Sequence, residues 1–288
     1  MKTLQAKNSF LHLTKEYSTV DNSKIALLLI QWAGESKLSE TVIKKIISAS
    51  HSLEIYDEEQ GKELAHDKGI ATFQPLVLKG SFENKTAKIT QALLFPIQKE
   101  KFIASISDNQ CASFGLIKSH SEKFKNLSVL HLGSRAELKN YSESKNHNCS
   151  LMNQISEFSS NIVQVGIRSF SKSENEIRKE RKIKQFLASE IKLGMYGNEW
   201  QELVSKNLTE NVYITLDPSV FDPSIIPNVE NPDPGGLNWE EILYLLKIIG
   251  QEKKIVGFDV SGLKSNKNFQ HTYYYIAKLV YKILNYAL

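Results

Sequence analysis

At 288 residues, with 41% hydrophobic and 24% charged residues, the chain has the make-up of a soluble globular protein and not of a disordered or fibrous one. Its formal net charge is +4, with Lys and Arg interleaved among Asp and Glu, so no concentrated basic face points to nucleic acid. No stretch approaches the ~18 apolar residues of a membrane span, and the opening MKTLQAKNSFLHL lacks a secretion-signal core, so no membrane partner and a cytoplasmic location are expected. Cys111 and Cys149 lie far apart and in no C-x-x-C pattern, which reads as two free thiols in a reducing compartment.

Residues 1–23 are polar and irregular and read as a surface arm. Lys24–Ile30, KIALLLI, predicts a buried strand; 38–50 follows as a helix with Val42, Ile43, Ile46 and Ile47 on one face. A short extended piece at 53–57, a polar loop at 61–69 and a strand at 72–78 come next. A helix at 87–94 is expected to stop at Pro96. Strands are predicted at 102–106, 128–132, 161–165, 212–216 and 255–260, and helices at 113–125, 149–159, 200–208, from Asn238 onward and at 269–286. Asn238 with Glu241 makes a capping box. The charge run at 174–184 reads as a solvated helix face with Glu174–Arg178 and Glu180–Lys184 pairs, in preference to a phosphate site. Strands alternate with helices throughout and no Gly-, Ser- or Pro-rich linker intervenes. The expectation is one α/β domain over 24–288, with a mostly parallel sheet covered on both faces.

The stretch richest in chemistry is Val212–Gly236, VYITLDPSVFDPSIIPNVENPDPGG. A buried strand runs out into Asp217, Ser219 and Asp222, and ligands in open α/β sheets sit outside such carboxyl ends. Residues 217 and 219 face one side together. Two carboxylates there would bridge metals, but the second position is a serine.

This stretch, with VGIRS at 165–169, VGFDV at 256–260 and AKLVYKIL at 277–284, resembles the ureohydrolases, arginase and agmatinase, with the agmatinase branch most similar. The likeness runs in order over roughly 24–288. It implies a three-layer α/β/α sandwich, and two manganese ions at the carboxyl edge that activate a water to attack a guanidinium carbon and release urea. It also implies a trimer or hexamer. Holding two divalent cations together requires several carboxylates and imidazoles. Carried onto this chain, the six ligand positions read Gln110, Gly133, Arg135, Glu137, Asp217 and Ser219. Among them Asp217 alone keeps its type, Glu137 is a longer carboxylate, and Arg135 sets a permanent cation in the site. The family's guanidinium-contacting Glu falls at Gly262. Matching Tyr141 and Met152 puts Asn148 at the family's His position, with His147 beside it.

The reading is therefore a degenerate, metal-free member of that family, with no cofactor and with a regulatory or structural role. Arg135 would pair with Asp217 and Glu137, with Gln110, Ser134 and Ser219 completing the hydrogen bonds. Two other readings stay open. One is an active guanidino-substrate hydrolase whose metal site is rebuilt from His131, His147, Glu137, Asp217 and Asp222. The other is a metal-free small-ligand binder. A homo-oligomer or a mixed oligomer with an active paralogue is the expected assembly. A Cys111 or Cys149 nucleophile would need a base oriented beside it.

Overall fold

The run Lys24–Ile30 lies in the strand Ile25–Gln31 with its Lys24 outside it, and all seven strand residues are buried, as a strand covered on both faces requires. The computed structural model describes residues 2–32, 37–139 and 150–288. Nine strands form one sheet: β1 (Ile25–Gln31), β2 (Ile70–Thr72), β3 (Leu76–Val77), β4 (Phe102–Ser107), β5 (Ser128–Leu132), β6 (Ile162–Ile167), β7 (Lys184–Leu187), β8 (Asn211–Leu216) and β9 (Lys254–Ser261). Their order is β2-β1-β4-β9-β8-β5-β6-β7, with β3 also on β1, and every pairing among them is parallel.

The helices are α1 (Lys15–Ser18), α2 (Lys37–Ser50), α3 (Leu64–Lys68), α4 (Phe82–Gln98), α5 (Ala112–Lys123), α6 (Leu151–Ile155), α7 (Lys172–Glu180), α8 (Ala188–Lys192), α9 (Trp200–Lys206), α10 (Trp239–Glu252) and α11 (His271–Ala287). Alternation along the strands sends successive side chains to two separate cores. Leu27, Leu29, Ile214 and Phe258 pack under α2, α9, α10 and α11, whereas Leu28, Ile103, Val129 and Tyr213 pack under α4, α5 and α6. The result is the three-layer sandwich. Among the described residues, no helix is long and apolar enough to cross a membrane.

Several elements differ from expectation. The arm is docked and not free: Phe10, Leu11 and Leu13 are buried, and the Phe10 and Leu11 amides donate to Thr72 Oγ1 at 3.0 Å and Ser50 Oγ at 2.9 Å. The 72–78 strand is two short ones, and Pro75, which has no amide to give a ladder, stands between them. The 61–69 loop contains α3. Helix α4 starts at a Ser81 cap and runs through Pro96; so near the helix end, the missing N–H costs little of the ladder. β7 has no apolar period and was not foreseen; its Lys and Gln suit an edge strand. The Asn238–Glu241 capping box forms as expected.

Only 174–180 of the charge run is helical, within α7; Lys184 opens β7, so the Glu180–Lys184 helix pair has no helix to form on, and the Glu174–Arg178 pair does not form either. Glu174 is buried instead. One oxygen closes a capping box with Ser171, and the other accepts the Leu138 amide at 3.1 Å. Arg178 donates to Asn175 at 3.1 Å.

Helix α11 carries Lys282, 1% exposed, into a cage of three acids. Its Nζ lies 3.1 Å from Asp57, 3.2 Å from Glu58 and 2.9 Å from Glu59, and Tyr286 donates to Glu59 at 3.1 Å. Removing one partner of a buried pair strands the other charge. Lys282→Met should cost ~3–5 kcal/mol. Urea denaturation would read this, and a loss indistinguishable from zero would refute the role.

Candidate functional site

Because all strands run the same way, the segments that leave β4, β5, β8 and β9 meet at one edge. There a cavity of about 30 Å³ is lined by Gln110, Arg135, Glu137, Asp217, Ser219 and Gly262, joined by Ser134, Glu230 and Lys264. Gly133 sits directly beside it, with the point where a Cβ would stand 3.6 Å from the Asp217 Cβ. The structure thus brings together all six ligand positions assigned by resemblance and the Gly262 position. His147, Asn148 and Cys149 lie outside the described residues.

Each member is held by local chemistry. Asp217 leaves β8 with its amide donating to Leu132 O at 2.8 Å, and its Oδ1 accepts the Ser219 amide at 2.7 Å. Ser219 Oγ in turn accepts the Ser134 amide at 3.2 Å, tying the β8 exit to the β5 exit. Arg168 fixes the same loop from outside: its guanidinium donates to the carbonyls of Ser219 at 2.8 Å, Phe221 at 3.3 Å and Asp233 at 2.7 Å. Burial pushes the Asp217 carboxyl above its ordinary range, against the Ser219 hydrogen bonds that lower it. Burial also raises Glu137; Gln110 hydrogen-bonds to it and Arg135 lies near enough to lower it, while Asp217 raises it further. Glu137 is held at φ 53°, a left-handed conformation that costs a non-glycine residue on the order of 1 kcal/mol.

The expected Arg135 ion pairs are not formed. Among the described residues no ion pair joins Arg135 to Asp217 or Glu137, and its Nε is buried without a hydrogen-bond partner. Gln110 and Ser219 serve the two carboxylates and not the guanidinium, and Ser134 Oγ is itself unpartnered. Arg135 contributes charge at a distance.

Two glycines close the site sterically. A Cβ at Gly262 would stand 3.0 Å from Asp217 Oδ2, at a backbone φ of +96° that disfavours any other residue. A Cβ at Gly133 would stand 3.0 Å from His131 Nε2. That ring cannot swing away freely, because its Nδ1 accepts from Gln164 Nε2 at 3.0 Å. His131 is thus a satisfied core residue; burial holds its pKa down at about 4 and keeps it neutral. Asp222 does not join the cavity. It clasps the Pro-rich turn, accepting from Ser224, Gly235 and Gly236, and although burial opposes it, these bonds bring its pKa to about 2. Cys111 is disulfide-bonded, and no described cysteine is free, which overturns the free-thiol reading, removes the thiol as a reason for a reducing compartment and leaves no Cys111 nucleophile.

The rim residues Glu230 and Lys264 were not foreseen. They pair at 3.2 Å, and Asn228 pins their loops by accepting the Lys264 amide on its carbonyl at 2.7 Å and donating back at 2.9 Å. Their only sequence signal is that both follow strands that end at this edge.

Beneath the site, register sets Ser105, Asp259, Thr215, His131, Gln164 and Gln185 side by side on six strands. Asp259 Oδ1 accepts from Ser113 at 2.6 Å and Thr215 at 3.1 Å, and Gln185 donates to Gln164 at 2.7 Å. Among the described residues no three His, Cys, Asp or Glu side chains converge as a metal would require.

The arginase family model matches residues 43–285. The chain belongs to the arginase family. It is 27% identical over 251 residues to the N(1)-aminopropylagmatine ureohydrolase of Synechocystis sp., covering 84% of this chain and 80% of that one. It is 29% identical over 239 residues to the enzyme of the same name from Thermus thermophilus, covering 82% and 80%. A putative agmatinase from Clostridium difficile superposes with a TM-score of 0.81 at 22% identity, covering 93% of this chain and 98% of that one, which establishes the shared fold.

Two outcomes follow within this arginase-family site. Gly262→Ala and Gly262→Glu should both lower stability by roughly 1–3 kcal/mol, because any side chain there adopts a strained backbone of φ +96° and presses on the buried Asp217 carboxylate at 3.0 Å; an unchanged melting temperature in either would contradict this. Burial, partly offset by the Ser113 and Thr215 bonds, raises Asp259 to about 7. The folded protein then holds that proton more tightly than the unfolded chain, so the contribution of Asp259 to stability is greatest below about pH 4 and is lost as the pH rises through about 7. Asp259→Asn should remove this slope, so its melting temperature relative to wild type rises between pH 4 and 8; parallel profiles would refute it.

Proposed function

We propose that this arginase-family protein is catalytically silent and acts as a structural or regulatory member, either as a homo-oligomer or in a mixed assembly with an active paralogue. The observation that carries the reading is the cavity of about 30 Å³ where the chemistry would occur, room for a water or two and not for a guanidino substrate. The donors present fit a dinuclear manganese centre poorly. Of the six positions assigned by resemblance, Asp217 and Glu137 are the acids, Gln110 and Ser219 are neutral, Gly133 has no side chain and Arg135 brings a like charge to the cations. The Glu that would contact a guanidinium has no room at Gly262. Fold membership alone does not carry activity onto a site so altered.

Relatives named as N(1)-aminopropylagmatine ureohydrolases define the reaction to test. The protein is equilibrated with excess Mn²⁺, dialysed, and measured for manganese per chain by plasma mass spectrometry and for urea release from N(1)-aminopropylagmatine and agmatine. The expected result is manganese far below stoichiometry and urea no higher than the protein-free blank. Stoichiometric manganese with urea release would overturn the proposal in favour of an active hydrolase with a rebuilt site.

A further inference from the structure

On the face of the sheet covered by α4, α5 and α6, a groove of about 630 Å³ runs between α4 and α5. The two helices approach closely, since a Cβ at Gly115 would stand 3.1 Å from the Ile89 side chain and 3.3 Å from the Thr86 carbonyl oxygen. Glu83, Ala87 and Gln91 come at i, i+4 steps along one wall, and Phe114, Lys118 and Glu122 along the other. Apolar groups lie open here. Leu94 in the groove is 53% exposed, and Phe95 beside it in sequence and Phe158 after α6 are 37% and 39% exposed. Phe158 is the outermost ring of a stack that runs inward to Phe114 at 5.7 Å, then to Phe82 at 5.3 Å and Trp32 at 5.5 Å. Rings held in this way lose little freedom when covered. Lys118 and Glu122, a turn apart on α5, are both exposed, and among the described residues neither side chain has an ion pair or hydrogen bond.

We infer that this groove is a contact between two copies of the chain related by a two-fold axis. A two-fold contact demands that the surface be complementary to itself. The pair on α5 meets that demand: with the axis over α5 between residues 118 and 122, Lys118 of each copy faces Glu122 of the other, and both unpaired charges are satisfied together. Within one helix the order Lys before Glu is the weaker one, which leaves both side chains available to a second copy. Leu94 and Phe158 supply the apolar area that the second copy covers. A small ion of either sign is poorly served, because Glu83, Lys118 and Glu122 line the same groove. The inference rests on the homo-oligomer reading proposed above, for which it names the surface, and not on catalytic silence.

The test is sedimentation equilibrium of the full-length protein over a concentration series. Wild type should assemble with an even number of chains. Lys118→Glu or Glu122→Lys alone sets like charges face to face and should weaken the association about tenfold, whereas the double variant exchanges the two signs and should restore it. Leu94→Asp should abolish it. All three side chains are exposed, so each variant should keep the far-ultraviolet circular dichroism of wild type. A monomer or an odd-numbered assembly would overturn the assignment, a monomer leaving the groove to a partner of different sequence. An oligomer that Leu94→Asp and both single reversals leave intact would overturn this contact and keep the homo-oligomer, formed through another face. A double variant no stronger than the single ones would refute the charge pairing. The manganese and urea measurements decide catalytic silence separately.

Discussion

Everything at the candidate site depends on the parallel register of the sheet. Each strand from β1 to β9 must end on the same edge, so residues separated by more than a hundred positions are delivered to one place whether or not they still do chemistry. The backbone therefore continues to present Gln110, Glu137, Asp217 and Gly262 to one another. Packed together at that edge, these residues leave a cavity of only about 30 Å³ between them.

The closure is a matter of local compensation. Two buried carboxylates in a small space raise each other's proton affinity, and the chain answers with short, specific donors: the Ser219 amide for Asp217, Gln110 for Glu137. Arg135 supplies field without contact. The outer clamp by Arg168, which gathers the carbonyls of Ser219, Phe221, Asp233 and Pro234, and the Asp222 clasp at the Pro-Gly-Gly turn fix the loops around this edge.

Most of the fold was legible because β1, β5 and β8 are short apolar runs bounded by turn residues, and because α2, α10 and α11 show clean helical periods. The site positions were legible only through family resemblance; spacing alone singles out Asp217 and residue 219. What escaped was tertiary. Lys282 reads as a surface lysine until three acids from residues 57–59 are folded around it. Glu174 looks like one member of a surface pair until its oxygen is seen to cap a loop thirty-six positions away. The polar row from Ser105 to Gln185 is invisible along the chain, because each of its members comes from a different strand and only the register sets them side by side.

The cage around Lys282 bears on the order in which the chain can be built. Its acids lie in a turn that follows α2, but the lysine lies some 223 residues further on, and Lys62 likewise reaches the carbonyl of Asn285. During synthesis the turn at 57–62 must wait, with its carboxylates in solvent, until nearly all of the described chain has emerged. The turn at 57–62 and the last helix are thus coupled across most of the chain, which raises the loop-closure cost of completing the core and makes partial chains poor folding units.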